Sequence, residues 1–253
     1  MRKRAPLGAS KSLVDSRPAF RAYRRLFGAE DMHSHYRWNA VSPLIDYAAR
    51  RTLEVGGGDG RISFEVASLG HANPIVMTEF DPASVAEAEA IKAAGGFTQV
   101  EVSQKDLRQL GIGTAFDQVL AIDVLEHIDD DTLAIQQIAE ALAPGGRLVV
   151  SVPTPRYPRV FGRRFHEHLG HVREGYYLED LAPKLASAGL TIKESRYYTG
   201  KWVARGARLF YGMRIPYFIG VLWAPLVRPL LRRTERAVAR EDACSLALVA
   251  VKE

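Results

Sequence analysis

Cysteine is nearly absent from this sequence: Cys244 is the single one among 253 residues. One thiol excludes a disulfide within the chain and is typical of proteins in a reducing compartment, so we expect a cytoplasmic protein. No run of about 20 apolar residues occurs, which argues against an ordinary membrane-spanning helix. The basic N-terminus, Met1 to Ser10, lacks an apolar core segment and therefore does not resemble a signal peptide.

Charge is unevenly distributed along the chain, whose net charge is +5. Residues 1–25 hold eight Lys or Arg and one acid, and residues 201–240 hold nine and one, so these ends carry +7 and +8. The remaining residues therefore sum to −10. Basic ends can meet phosphate, anionic lipid or nucleic acid, or can simply be solvated. We expect disorder over 1–11 and a basic amphipathic helix over Leu13 to Phe27.

The segment from Arg51 to Ser63 has the pattern of a strand, a glycine-rich turn and a helix. An apolar run, Leu53 to Val55, precedes four glycines: Gly56, Gly57, Gly58 and Gly60. Glycines let a ligand approach bare backbone, and a helix N-terminus offers free N–H groups. The spacing G-x-G-x-G, with Glu54 just before it, differs from the G-x-G-x-x-G of dinucleotide sites. Taken alone, this stretch also fits an ordinary tight turn or a dinucleotide site.

Further motifs follow in the order that a parallel sheet requires. Strand 2, Pro74 to Glu79, ends in an acid 19 residues after Gly60, where a carboxylate can accept hydrogen bonds from ribose hydroxyls. Asp81 is the rival for this role, but we interpret it as the N-cap of a helix over 83–94. Strand 4, Phe116 to Ile122, continues into D-V-L-E-H-I. A helix over 131–143 then ends at A-P-G-G-R before strand 5.

From Glu54 to Pro153 these motifs resemble the class I S-adenosylmethionine (SAM)-dependent methyltransferases of the small-molecule type. The resemblance implies a doubly wound, Rossmann-like α/β fold with a seven-stranded, mostly parallel sheet and an antiparallel last strand. N-terminal helices and a helical insertion between strands 6 and 7 would complete it. We divide the chain into a tail with cap helices (1–50) and a methyltransferase domain (51–253) that contains a basic and apolar insertion (198–243).

The resemblance also implies SAM as the cofactor and S-adenosylhomocysteine as the product. It assigns cofactor contacts to Glu54, Gly56, Gly58, Gly60, Glu79, Phe80, Asp106, Leu107 and Asp123. Within this set, Glu54 would face the ammonium group, Glu79 the ribose and Asp106 the adenine. Asp123 would lie against the methionine part. Asp106 can alternatively cap a short helical turn.

Histidines are concentrated after strand 5, in a segment that we expect to be a long loop (153–178). A histidine there could remove an acceptor hydroxyl's proton, and we expect His171 to do so, followed in rank by His168 and His127. His171 belongs to a G-H-x-R segment followed by Tyr176, as in the resembled family. Packing within the loop is the alternative. No metal is expected, because no cysteine lies nearby and the H-E-x-x-H spacing is missing.

The remaining elements are a second helix over Val41 to Ala49, strand 3 (Thr98 to Val102), a helix over Leu178 to Ala188, strand 6 (Leu190 to Tyr197) and strand 7 (Cys244 to Lys252). Between the last two strands, Ile215 to Val227 is free of charge and is followed by arginines. Such a segment could lie on a membrane surface or hold a lipid-linked acceptor, or could form a buried lid or a homodimer contact.

The sequence therefore predicts methyl transfer to a small-molecule acceptor, in preference a hydroxyl of a natural product, sugar or lipid-linked compound. Two other functions remain open. The chain could bind SAM without chemistry, or it could methylate nucleic acid through its basic ends. The second is disfavoured because no N-P-P-[YF] motif of base-flipping enzymes is present. Contact of residues 201–240 with a membrane surface would make the protein peripheral to the membrane.

Overall fold

The computed structural model describes residues 32–113, 116–212 and 233–253. One sheet contains the strands β1 (Thr52–Val55), β2 (Ile75–Glu79), β3 (Val100–Gln104), β4 (Phe116–Ile122), β5 (Leu142–Pro153), β6 (Leu190–Tyr198) and β7 (Ser245–Lys252). The described α-helices are α1 (Met32–Val41), α2 (Arg61–Ser68), α3 (Pro82–Gly95), α4 (Asp131–Ala141), α5 (Tyr157–Phe161), α6 (Arg163–His168), α7 (Leu178–Ser187) and α8 (Lys201–Gly212). Four 3₁₀ turns supplement them: Ser42–Leu44, Leu107–Gln109, Leu125–His127 and Arg240–Asp242.

The strands follow the order β3-β2-β1-β4-β5-β7-β6. Neighbours among β1 to β5 are parallel, whereas β7 runs antiparallel to both β5 and β6. The chain reverses its direction of winding between β1 and β4, and the crevice at the carboxyl ends of such strands is where open α/β sheets bind ligands. The predicted doubly wound fold with an antiparallel last strand is confirmed.

Alternate residues of the central strands enter two separate cores, one on each face of the sheet. On β4, Val119 and Ala121 pack into one core, while Leu120 and Ile122 pack into the other. This period of two is the geometry of a pleated strand, and apolar side chains on both faces are expected for a parallel sheet covered by helices. Because both faces of the sheet are covered, we look for a ligand site at the carboxyl ends of its strands.

Two sequence predictions about local structure were wrong. The predicted helix Val41 to Ala49 does not form: α1 ends at Val41 and only a 3₁₀ turn follows. Pro43 explains why α1 does not continue, because it lacks the N–H that the next turn of α1 would need. The segment 153–178 is also not a continuous loop, since α5 and α6 form within it on either side of Gly162.

Several predictions fall on residues outside the described ranges. These are the disorder over 1–11, the helix over Leu13 to Phe27 and the apolar segment Ile215 to Val227. Of the predicted insertion, the structure describes α8, the residues from 233 onward and the 3₁₀ turn before β7. Within the described ranges, no helix combines the length and apolar character needed to cross a bilayer.

Candidate functional site

The glycine loop between β1 and α2 contains three glycines whose Cβ positions are crowded by neighbours, Gly56, Gly57 and Gly60, and one, Gly58, that faces open space. A Cβ on Gly56 would lie 2.2 Å from Val124 Cγ2, and a Cβ on Gly60 would lie 2.3 Å from the Phe64 ring. Gly58 also has a positive φ, +59°, but nothing lies within 4 Å of its Cβ position. The backbone at Gly58 is therefore the part of this loop that a ligand can approach.

Glu54 lies under this loop and is buried, with 2% of its surface exposed. Its carboxylate accepts hydrogen bonds from the Ser63 backbone N–H at 2.9 Å and from the Ser63 hydroxyl. Burial raises the pKa of Glu54 to about 7, although the Ser63 hydrogen bonds act in the opposite direction. The described contacts give Glu54 a structural role, tying β1 to the first turn of α2. Its contact with the cofactor's ammonium group remains a prediction.

Glu79 is held at the carboxyl end of β2 in contact with the glycine loop. Its Oε2 accepts a hydrogen bond from the Gly58 N–H at 2.8 Å, and its Oε1 accepts from Phe80 and Asp81 N–H groups at 2.7 and 2.9 Å. Asp81 caps α3 by accepting from Ser84 N–H at 2.9 Å, which confirms its predicted capping role. The Glu79 carboxylate is therefore fixed directly against the Gly58 backbone.

The remaining predicted cofactor contacts of the nucleoside part differ in their exposure. Phe80 is 63% exposed beside Glu79, whereas Leu107 is buried in the core below its 3₁₀ turn. The Asp106 carboxylate accepts from Arg108 N–H at 2.9 Å and pairs with the Arg108 guanidinium at 2.6 Å. Asp106 thus has the capping role that the sequence left open, and its contact with adenine remains a prediction.

Asp123 adopts a positive φ of +53° directly after β4. Its carboxylate accepts hydrogen bonds from Arg37 at 2.8 Å and from the Ser151 hydroxyl at 2.6 Å, and the Ser151 hydroxyl also lies 2.7 Å from the Tyr198 hydroxyl. This network joins α1 to the carboxyl ends of β4, β5 and β6. The next residue, Val124, is the one that packs against Gly56.

Three histidines from separate segments meet immediately after this point. His127 ends the 3₁₀ turn that follows Val124, and its ring lies 4.7 Å from that of His171. The His166 ring of α6 lies 4.5 Å from the His171 ring. We call His127, His166 and His171 the histidine cluster. The structure thus brings His127 and His171 together as candidate catalytic residues, whereas His168 is exposed and contacts no other described side chain by a hydrogen bond or ring packing.

The electrostatics of the histidine cluster favour a neutral imidazole at His171. Burial, reinforced by His127 and His166, lowers the pKa of His171 to about 4. The His127 Nδ1 lies 3.2 Å from the Gly170 carbonyl, so an Nδ1–H would donate to it and leave Nε2 as the accepting nitrogen. A neutral imidazole carries the lone pair that proton acceptance requires.

Glu126 borders the histidine cluster and is 1% exposed. One oxygen of Glu126 and one ring nitrogen each of His127 and His171 all lie within 4.8 Å of one another. Burial, followed by the charge of Asp123, raises the pKa of Glu126 above its ordinary value. Burial therefore favours the neutral carboxyl group over the carboxylate at this position. The expectation that no metal binds here remains a prediction.

A clamp around Asp131 fixes the loop that carries His171. The Asp131 carboxylate accepts from Arg173 and Lys184 at 2.6 Å each and from the Tyr176 hydroxyl at 2.7 Å. Arg173 also donates to the Ile128 and Asp129 carbonyls. The G-H-x-R segment and Tyr176 of the sequence are therefore the means by which the His171 loop is attached to the turn that carries His127.

We expect Asp131→Asn to lower the free energy of unfolding by roughly 2 kcal/mol, because three donors lose a charged acceptor. These hydrogen bonds hold the pKa of Asp131 below its ordinary value despite its burial. Asp131 therefore contributes stability above its unfolded pKa of about 4 that is lost as the pH falls through the lower folded value. Urea unfolding of both proteins at neutral and acidic pH checks this. If the difference in free energy of unfolding between the unmodified protein and Asp131→Asn is as large at acidic pH as at neutral pH, the prediction is wrong.

Sequence reasoning missed His166, Glu126 and Arg37. His166 and His168 are two residues apart, which on a helix places them on different sides, so only one of them can turn inward. Because the segment was predicted to be a loop, the sequence could not show which of the two histidines turns inward. The acid of D-V-L-E-H-I was a visible signal for Glu126. Arg37 lies 86 residues from its partner Asp123, and no local pattern indicates that pair.

Comparison with known proteins agrees with this geometry. Residues 53–148 match a family model described as a methyltransferase domain. The matched range begins in β1 and ends within β5, so it contains the glycine loop, Glu79, Asp106 and the turn with His127. Together with the strand order, this match supports a class I SAM-dependent methyltransferase domain in the central part of the chain. SAM is the cofactor that this family and fold imply.

A relative from Xanthomonas oryzae pv. oryzae, named ubiquinone biosynthesis O-methyltransferase, is 32% identical over 115 residues. The alignment covers 46% of this chain and 48% of the relative, so the chain spans about half the length of that protein. A second relative of the same name, from Xanthomonas axonopodis pv. citri, is 28% identical and is covered over 70% of its length, against 62% of this chain.

Solved structures support the fold over more of the chain. A SAM-dependent methyltransferase from Mesorhizobium loti has a TM-score of 0.60 at 16% identity, covering 85% of this chain and 97% of that one. The [4+2]-cyclase SpnF has a TM-score of 0.58 at 22% identity, covering 85% and 78%. At these identities the likeness concerns the fold alone, and the chemistry must be argued from the site.

Proposed function

We propose that this protein transfers a methyl group from SAM to a small-molecule acceptor, and that the acceptor atom is a hydroxyl oxygen. The observation that carries this is the histidine cluster directly beyond Val124, the residue that packs against the glycine loop. A neutral imidazole at His171, at the carboxyl edge of the sheet, is suited to accept the proton that a hydroxyl must lose.

The residues around the glycine loop fit the cofactor. Gly58 offers backbone with open space beside it, and the Glu79 carboxylate is fixed next to that space. We assign Gly58 and Glu79 to the ribose and the adjoining atoms, with Phe80 as an exposed aromatic surface for the nucleoside. The bound cofactor would supply an electrophilic methyl group on a sulfonium sulfur. Gly56, Gly60 and Leu107 shape this site by packing, and Glu54, Asp106 and Asp123 border it.

His171 is the residue that we propose as the proton acceptor. It is the member of the histidine cluster that contacts both others, with ring centroid distances of 4.7 Å to His127 and 4.5 Å to His166. With SAM bound, the hydroxyl oxygen would form a bond to the methyl carbon as the sulfonium S–C bond breaks and S-adenosylhomocysteine leaves, and the hydroxyl proton would pass to His171. Positioning the hydroxyl against a neutral imidazole makes this transfer part of the same step.

Oxygen is favoured over nitrogen or carbon because a proton acceptor is present and because two relatives are named O-methyltransferases. The substrate class that we propose is a hydroxylated natural product, sugar or lipid-linked compound. The named activity belongs to those relatives, and this chain matches only part of their length.

The test has two stages, which separate cofactor binding from chemistry. We expect S-adenosylhomocysteine to raise the Tm of the full chain, because a ligand that binds only the folded state stabilises it by mass action. Tritiated SAM should then label a hydroxylated acceptor from a panel that also includes amines. Absence of a thermal shift with either cofactor form would contradict the proposal. Binding without labelling of any acceptor would favour the alternative, a SAM-binding protein without methyl transfer.

A further inference from the structure

The outer surface beside the histidine cluster is apolar and basic. Within the described ranges, seven large hydrophobic side chains are exposed, and three of them fall within eight residues: Phe165, Leu169 and Val172. The segment 156–173 contains five arginines and one acid. A fourth exposed hydrophobic residue, Trp202, lies in the first turn of α8, and the Arg205 Cζ is 5.1 Å from the centroid of its ring.

These features belong to one helical layer at the carboxyl edge of the sheet. Tyr157 of α5 packs with Ala204 of α8 and with Cys244 in a small core of its own, and α6 follows α5 directly. Phe165 on α6 precedes His166, a member of the histidine cluster. The exposed side chains therefore belong to elements that lie beside the histidine cluster. We call this surface the basic rim and define it by Arg159, Arg164, Phe165, Leu169, Trp202 and Arg205.

The charges of the basic rim are available to a partner. Arg159 and Arg164 are exposed and have no carboxylate partner among the described residues, in contrast to Arg163, which pairs with Glu174 at 2.6 Å. Arginine beside exposed aromatic and aliphatic side chains is the composition of a membrane-surface contact. Ring and aliphatic groups enter the headgroup boundary, while guanidinium groups meet lipid phosphate.

We propose that the basic rim docks on an anionic phospholipid bilayer and admits an acceptor that resides in that bilayer. An aqueous acceptor would need no apolar surface around its entrance, whereas a lipid-linked one must leave the bilayer next to the histidine cluster. Docking itself is independent of catalysis. Delivery of the acceptor rests on the proposed function.

The experiment is flotation of the full-length protein with phosphatidylcholine vesicles and with vesicles of phosphatidylcholine and phosphatidylglycerol. We expect binding to the anionic vesicles only, weakening with salt. Arg164→Glu should reduce partitioning roughly tenfold to thirtyfold, because it changes the charge by two at the surface. The matched control Lys193→Glu makes the same change at an exposed position on β6 and should bind as the unmodified chain does.

A second pair tests the apolar contribution. Phe165→Ser should weaken partitioning roughly tenfold, while Leu69→Ser, at another exposed apolar position remote from the rim, should leave it unchanged. The proposal is overturned if the protein binds neither vesicle type or binds both equally. It is also overturned if Lys193→Glu loses as much vesicle binding as Arg164→Glu does. Tighter binding to single-stranded RNA than to anionic vesicles would also overturn it. S-adenosylhomocysteine should raise the Tm of every variant, which separates failure here from failure of the proposed function.

Discussion

Gly58→Ala should weaken binding of S-adenosylhomocysteine by at least about 100-fold, equivalent to about 2.7 kcal/mol. The added methyl group enters the open space beside the glycine loop, where the proposed cofactor must contact bare backbone. The substitution also places alanine at a φ of +59°, which disfavours the loop geometry that presents the Gly58 N–H to Glu79. Isothermal titration calorimetry measures the affinity.

Gly96→Ala is the matched control for this experiment. Gly96 has a φ of +66° and also has nothing within 4 Å of its Cβ position, but it lies at the C-cap of α3. Both substitutions should therefore lower the free energy of unfolding by a similar amount, about 1–2 kcal/mol. Only Gly58→Ala should affect cofactor affinity. If the two variants bind S-adenosylhomocysteine equally well, the open face of the loop is not the cofactor site.

The fold could be predicted because its signals are local. Buried apolar runs end in glycine or in an acid at β1 and β2, and α3 begins with an N-cap, Asp81, and ends at Gly96. The apolar residues of the segment Phe116 to Ile122 predicted β4 with its observed ends. In the structure, all but one of its residues are buried. These start and stop signals of strands and helices can be identified without knowledge of tertiary contacts.

The site could be predicted only in part, because its histidines come from three segments. His127 follows a motif and was identified, but its contact with His171 depends on the Asp131 clamp, which joins residues more than 40 positions apart. α6 is short and rich in arginine and histidine, so it lacks the apolar periodicity that indicates a helix. The inward side of α6 therefore could not be identified, and His168 was ranked as a candidate while His166 was not.

The same reasoning explains why acids were easier to place than to interpret. Glu54 and Asp106 lie where the sequence predicted them, yet their carboxylates are engaged by Ser63 and Arg108. A sequence motif records that an acid is needed at a position. Whether the acid meets a ligand or braces the backbone is decided by neighbours that the motif does not contain. Glu79 combines both, since it braces Gly58 and remains next to open space.

His171→Ala should lower kcat for hydroxyl methylation by roughly 10²- to 10⁴-fold, the usual contribution of a general base. Affinity for S-adenosylhomocysteine should stay unchanged, because the imidazole contacts His127 and His166 rather than the glycine loop. Single-turnover labelling with tritiated SAM, together with calorimetry, separates the two quantities. A variant that binds the cofactor normally and methylates at the unmodified rate would exclude His171 as the proton acceptor.

His168→Ala is the control that the structure supplies, because His168 is exposed and makes no described side-chain contact. The kcat of this variant should remain within about twofold of the unmodified value, since substitutions of exposed residues without contacts change little.

The assay should also be run after dialysis against a chelator, because Glu126, His127 and His171 offer donor atoms within 4.8 Å of one another. We expect full activity there. Activity lost to the chelator and restored by a divalent cation would mean that the histidine cluster binds a metal and that His171 acts as its ligand.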